Sequence, residues 1–230
     1  MVVIGCPVRN RDWIIGEYLD HIYNLDFPKD DLSLCFVIND STDRTKEILM
    51  SFAREHKDEY RQIRILEHDL GQIEDQRTWN VRKKIYVSLA ELRNILVEQA
   101  LDMEADYLFS VDSDILVPPY TLKELIVADK DIVSAQIWND PSKVFPNIMA
   151  HRNGSITHYL DFPKNALFQC DVTGAVYLLK KKVLEEVRYC YHEQGEDVGF
   201  CLEAKKKGFE IWANSKIACK HMMERRAPGF

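Results

Sequence analysis

No apolar run in this 230-residue chain approaches the roughly 20 residues needed to span a bilayer, which argues against a transmembrane segment. A basic stretch followed by an apolar one, the mark of a secretory leader, is also missing from its opening. The expectation is a cytoplasmic protein, or a soluble catalytic domain cut from something longer. Cysteine is sparse. The six residues Cys6, Cys35, Cys170, Cys190, Cys201 and Cys219 never form the C-x-x-C spacing of a zinc site or redox pair. Several stand in apolar, strand-like runs and read as reduced core thiols. Positive charge is in deficit, 30 Lys and Arg against 37 Asp and Glu. A net charge of -7 argues against a nucleic-acid partner or an anionic membrane surface, but leaves room for a local basic pocket that takes a phosphate. Internal repeats, low-complexity tracts and linkers are absent, so one continuous domain is expected.

What is present is a strand-helix alternation, with 46% apolar and 29% charged residues. Val2 to Cys6 reads as a buried strand stopped by Pro7 and followed by the polar loop Arg9-Asn10-Arg11-Asp12. Ile15, Tyr18, Leu19, Ile22 and Leu25 then recur at helical spacing. A second apolar run, 32–38, leads into Asn39-Asp40-Ser41-Thr42-Asp43 and a second helix carrying Ile48, Leu49 and Phe52, with Ser41 or Thr42 as its expected N-cap. Residues 64–67 make a third strand, 71–84 a polar loop, and 85–101 a helix with its stripe at Leu89, Leu92, Leu96 and Ala100. Past Pro119 the pattern becomes mixed. A helix is expected at 121–128, strands at 132–138, 171–179 and 210–213, and a hairpin turning at Asn153-Gly154. Helices are expected from Lys181 and after the acidic turn Gly195-Glu196-Asp197. The fold expected is α/β: a mostly parallel half, 1–115, continuing into a mixed α+β half, 116–230.

The apolar run from Tyr107 to Val111 ends in Asp112-Ser113-Asp114, two carboxylates at a strand end with no Lys or Arg within several residues. In open α/β sheets that edge is where ligands bind. So concentrated a negative site suits a hard divalent ion, Mn2+ or Mg2+, shared with a diphosphate. Taken alone, the same two residues also suit a turn or helix cap.

Four motifs in order carry a resemblance over almost the whole chain: Val2-Val-Ile-Gly-Cys-Pro-Val-Arg-Asn10, Phe36-Val-Ile-Asn-Asp-Ser-Thr-Asp43, Asp112-Ser113-Asp114 and Gly195-Glu196-Asp197. The chain resembles the nucleotide-diphospho-sugar transferases of the GT-A fold, most nearly the family 2 type, with wording closer to fungal mannosyltransferase and procollagen galactosyltransferase relatives. The resemblance implies that Pro7, Arg9, Asn39 and Asp40 lie in the loops that hold base and ribose. It also implies a UDP- or GDP-sugar donor and a glycan, peptide or small-molecule acceptor. Where the family usually has two acids before Gly-Ser, this chain has Asn39-Asp40-Ser41. The strand 217–221 resembles the one that returns a His to the metal, making His221 a ligand with Asp112 and Asp114.

The chemistry asks for the same parts. Leaving-group charge calls for a metal on Asp114, with Asp112 beside it, and for a cation, while Asp112 and Ser113 are also expected to contact the nucleotide donor. Arg93, off the apolar stripe of its helix, is expected to meet the diphosphate. The acceptor hydroxyl must lose a proton, and Glu196-Asp197 stands at a helix start where it could take it. The resemblance implies that Asp197 is this base, in an inverting transfer. Gly174 is expected to let backbone approach a ligand. Three other classes stay in view. A phosphatase using Asp-x-Asp as nucleophile would carry that motif on its first strand, a nucleotidyltransferase would need a Gly-rich basic opening loop, and a non-catalytic binding module would be expected to lose one of the three aspartates. A retaining transferase remains open on the same fold.

Overall fold

The computed structural model describes residues 1–71, 79–152 and 154–223. Strand β1 (Val2–Val8) sends Val2, Ile4, Cys6 and Val8 into one core layer and Val3 into another. A strand covered on both faces belongs inside a sheet. After helix α1 (Ile15–Tyr23), strand β2 (Leu32–Ile38) lies parallel to β1. Helix α2 (Thr45–His56) leads to β3 (Gln62–Glu67), parallel to β2 at the edge. Helix α3 (Trp79–Asp102) feeds β4 (Tyr107–Val111), which pairs with the other side of β1. The short β5 (Ile115–Leu116) and α4 (Thr121–Val127) precede β6 (Ile132–Gln136) and a hairpin of β7 (Met149–Arg152) and β8 (Ser155–His158). Next come β9 (Leu167–Gln169), β10 (Val176–Lys180), α5 (Lys181–Glu186), α6 (Glu196–Lys206), β11 (Ile211–Ala218) and β12 (Lys220–His221).

Among the described residues the main sheet runs β3-β2-β1-β4-β10-β6-β11-β9. Its first four strands are parallel, and β10 enters antiparallel between β4 and β6. One face buries the apolar sides of α1, α2 and α4, the other those of α3, α5 and α6. This is the α/β class expected. No helix of the described residues is long and apolar enough to cross a membrane.

Three local expectations change. Ser41 and Thr42 do not cap α2. Ser41 Oγ accepts from Asn10 N and Thr42 N donates to Asn10 Oδ1, tying the β1 and β2 loops together, while the Asp43 carboxylate takes the Thr45 N–H at 3.0 Å where the helix begins. Residues 79–84 belong to α3, not to the expected loop, whose part at 72–78 lies outside the described residues. The strand expected from Asp171 starts only at Val176. Ahead of it the Asp171 carboxylate accepts from His151 N, Val172 bridges to Met149, and Ala175 turns through a positive φ of 66°. From there β10 runs antiparallel to β4.

Candidate active site

The parallel strands deliver their C-terminal loops to one sheet edge, the position where α/β sheets bind ligands. A cavity of about 270 Å³ opens there, lined by Pro7, Arg9, Arg11, Asn39 and Ser113 against Ile85, Leu89 and Leu92 of α3. Four of the residues expected at a nucleotide, Pro7, Arg9, Asn39 and Ser113, therefore share one wall. The loops turn sharply at Asn10 (φ 49°) and Asp40 (φ 44°), residues whose short polar side chains tolerate left-handed backbone. Asp40 braces this wall, accepting Leu70 N at 3.1 Å.

At the end of β4 the carboxylates lack cations near in sequence but not in space. Arg11 Nη2 donates to Asp114 Oδ2 at 3.1 Å, and Arg93 Nη2 to Asp112 Oδ1 at 2.8 Å. Pairing of β12 with β5 sets His221 opposite Ile115 and brings its Nε2 to 3.7 Å from Asp114 Oδ1. Burial, then the neighbouring Asp112, pushes the Asp114 carboxyl above its usual range, against the pull of Arg11 and His221. Among the described residues no three His, Cys, Asp or Glu cluster around a common point. A Mg2+- or Mn2+-type ion that keeps waters and takes phosphate oxygens needs only one or two protein ligands. The oxygen-nitrogen pair of Asp114 and His221 fits that need, and the Arg11 guanidinium already stands there as a cation. Asp112, with one oxygen on Arg93, has the other left for such an ion.

Arg93 departs from expectation. It is 4% exposed, and its Nε, Nη1 and Nη2 donate to Glu196 Oε1 (3.0 Å), Ser110 Oγ (3.3 Å) and Asp112 Oδ1 (2.8 Å). Asp197 Oδ1 lies 3.8 Å from Nε. With these donors on protein acceptors, Arg93 is the counter-ion that lets three carboxylates approach one another, not a side chain facing a diphosphate. The packing of α3 between β4 and α6 turns it inward.

Asp197 heads α6 after Gly195, whose φ of 129° suits only glycine. Helix-end donors are expected to hold this carboxylate charged. Instead burial is the largest influence and raises its pKa to about 7. Glu196 and Asp112 push the same way, and Arg93 and the Tyr177 hydrogen bond oppose. The Tyr177 hydroxyl donates to Asp197 Oδ1 at 2.9 Å and is itself hydrogen-bonded to the Tyr189 hydroxyl. The other oxygen lies against Gly174: a Cβ at that position would stand 2.0 Å from Oδ2. The close approach expected at Gly174 is thus made by a protein carboxylate. A second cavity, about 470 Å³, is lined by Tyr86, Asn139, Asn147, His158, Thr173, Gly174, Glu196 and Asp197. Asn147 holds its wall, accepting Ile137 N and donating to the carbonyls of Ala135 and Gly174.

Sequence reasoning passes over Arg11, Tyr177 and Tyr189. Arg11 had a signal, being the second cation of the polar loop after β1. The tyrosines had none, since in sequence they are ordinary core aromatics.

A cavity at the ends of β1 and β2, an Asp-x-Asp after β4 and an acid heading a helix over β10 are the arrangement expected of the GT-A fold class. The solved structures agree on the fold. The mannosyltransferase PcManGT from Pyrobaculum calidifontis, in complex with GDP-Man and Mn2+, matches with a TM-score of 0.65 at 19% identity over 98% of this chain and 58% of that one. GalNAc-T7 with UDP, GalNAc and Mn2+ matches at 0.68 and 10% identity over 96% and 43%. Within that class the chain belongs to the Anp1 family, whose model matches residues 1–151. Its relatives include procollagen galactosyltransferase 1-A of Xenopus laevis, 28% identical over 139 residues, which are 59% of this chain and 23% of that protein. The mannan polymerase II complex ANP1 subunit of Saccharomyces cerevisiae is 26% identical over 149 residues, 60% and 30% of the two. The matched stretch is thus under a third of either relative's length.

Proposed function

We propose that this domain is a hexosyltransferase that moves a sugar from a nucleotide-diphosphate donor, a UDP- or GDP-sugar, to an acceptor hydroxyl, with inversion of configuration and with Mn2+ or Mg2+ bound. Pro7, Arg9, Asn39 and Asp40 hold the nucleoside, within a donor half of residues 1–115. Asp112, Asp114 and His221 hold the ion, which when bound offsets charge on the diphosphate, and Ser113 lines the donor cavity. The acceptor, a glycan, a peptide or a small molecule, enters the cavity of the 116–230 half. Relatives named as a procollagen galactosyltransferase and a mannan polymerase subunit are consistent with hexosyl transfer.

The observation that carries this reading is the placement of Asp197. A carboxylate whose pKa lies near 7 is suited to accept a hydroxyl proton as the bond to the sugar forms. Tyr177 and Arg93 fix Oδ1, and the acceptor cavity is lined by the same residue. Glu196 contributes by orienting Arg93.

The test measures donor affinity, turnover and product anomer together, with UDP- and GDP-sugars and with and without Mn2+. Asp197→Asn is expected to leave donor affinity unchanged and lower turnover by roughly 100- to 10,000-fold. A product that keeps the donor's configuration removes the base role from Asp197. Undiminished nucleotide affinity in EDTA removes the ion.

A further inference from the structure

We propose that Arg11 is a place-holder for the divalent ion: it neutralises Asp114 while the site is empty and passes to the donor's diphosphate when the ion binds. The inference rests on the donor-site reading above. Arg11 Nη2 donates to Asp114 Oδ2, the carboxylate nearest His221, so the guanidinium and an ion on Asp114 would bring like charges onto one carboxylate. One must yield. The Arg11 side chain is 34% exposed and lines the nucleotide cavity beside Arg9 and Ser113, so it has space to turn. Its backbone is held in place: Arg11 N donates to Thr45 Oγ1 at 2.7 Å, and its carbonyl accepts from Ile14 and Ile15 at the start of α1. Movement is thereby confined to the side chain.

The guanidinium is also incompletely satisfied where it stands. Nη1 reaches the Arg9 carbonyl at 3.2 Å, but Nε is buried with no hydrogen-bond partner. A diphosphate presents several anionic oxygens in the geometry a guanidinium fork matches, and would give Nε the acceptor it lacks. Arg93 is buried with each of its nitrogens already on a protein acceptor, so its fork is engaged within the protein. The arrangement makes ion and nucleotide reinforce each other: the ion releases Arg11 to the phosphates, and by reciprocity the phosphates, by drawing Arg11 away, open Asp114 to the ion.

The experiment compares wild type, Arg11→Gln and Arg11→Lys by calorimetry, with Mn2+ alone and then with UDP and with GDP at saturating Mn2+. Removing the competing charge is expected to tighten Mn2+ binding to the nucleotide-free Arg11→Gln protein several-fold. Losing charge-assisted hydrogen bonds is expected to weaken the preferred nucleotide roughly 10- to 100-fold. These changes have opposite signs, whereas a loop merely loosened by the substitution weakens both. Arg11→Lys, which keeps the charge without the fork, is expected to hold Mn2+ like wild type and lose nucleotide affinity, and it decides the matter if Arg11→Gln does not fold. Mn2+ affinity unchanged or weaker in Arg11→Gln, or nucleotide affinity equal to wild type in Arg11→Lys, overturns the exchange. A wild-type protein that binds neither nucleotide at saturating Mn2+ overturns the donor-site reading itself.

Discussion

Arg93 is where one side chain carries the most electrostatic consequence. Its guanidinium stands between Asp112, Glu196 and Asp197, and removing one partner of a buried ion pair leaves the others without compensation. Arg93→Met is expected to cost about 3 to 5 kcal/mol in urea unfolding, with effects well beyond nucleotide binding. Asp197 gives a pH signature. If it takes the acceptor proton, turnover rises with pH through about 7 and levels off above, which a pH-rate profile reads directly. Stability runs the other way. A carboxyl whose folded pKa lies above its ordinary 3.8 binds its proton more tightly when folded. The stability this confers is fully present below about pH 4 and lost as pH rises to about 7. Asp197→Asn is therefore expected to gain stability relative to wild type between pH 4 and 8 in parallel denaturation series.

Elements meet closely where the segment before β10 crosses the start of α6. Gly174 has no room for a Cβ because the Asp197 carboxylate occupies that space, so Gly174→Ala has to displace the acid or the backbone. We expect overpacking to cost about 1 to 3 kcal/mol and to shift the midpoint of the pH-rate profile, both measurable on one variant. Donor affinity serves as the control, since Gly174 lines the second cavity and not the nucleotide one. The sequence signals at this scale were uneven. β1, β2 and β4 were legible because strands buried on both faces are near-continuous apolar runs that end at a polar loop. The start of β10 was not, because the apolar residues Val172 and Ala175 extend its pattern backward while the chain there turns through a positive φ and pairs with the β7 strand instead.

For the molecule as a whole, the two core layers enclose most of the thiols. Cys6, Cys35, Cys170, Cys201 and Cys219 are buried and Cys190 is partly exposed, all six in the free form. Burial raises Cys35, Cys201 and Cys219 to about 12, far from the thiolate form that reacts. The melting temperature is therefore expected to be the same with and without reductant, and native alkylation to mark Cys190 alone, as peptide mass analysis can check. A reductant-sensitive melt would mean that a disulfide forms after all.

The sequence by itself determined the class of fold, the strand that ends in Asp112-Ser113-Asp114, the Pro7–Arg9 and Asn39–Asp40 loops and the acidic turn before α6. These are local signals: apolar runs, helical spacing, turn residues and acids at element ends. Tertiary structure alone decided which charges answer which. The nearest cations to Asp112 and Asp114 lie 19 and 103 residues away in the chain, and only the parallel pairing of β1 with β4 and the packing of α3 bring Arg11 and Arg93 to them. The raised pKa of Asp197 arises in the same way. Desolvation depends on what surrounds a group, and Tyr177, Tyr189 and Gly174 reach Asp197 through the insertion of β10 beside β4, a pairing that no spacing within the chain records.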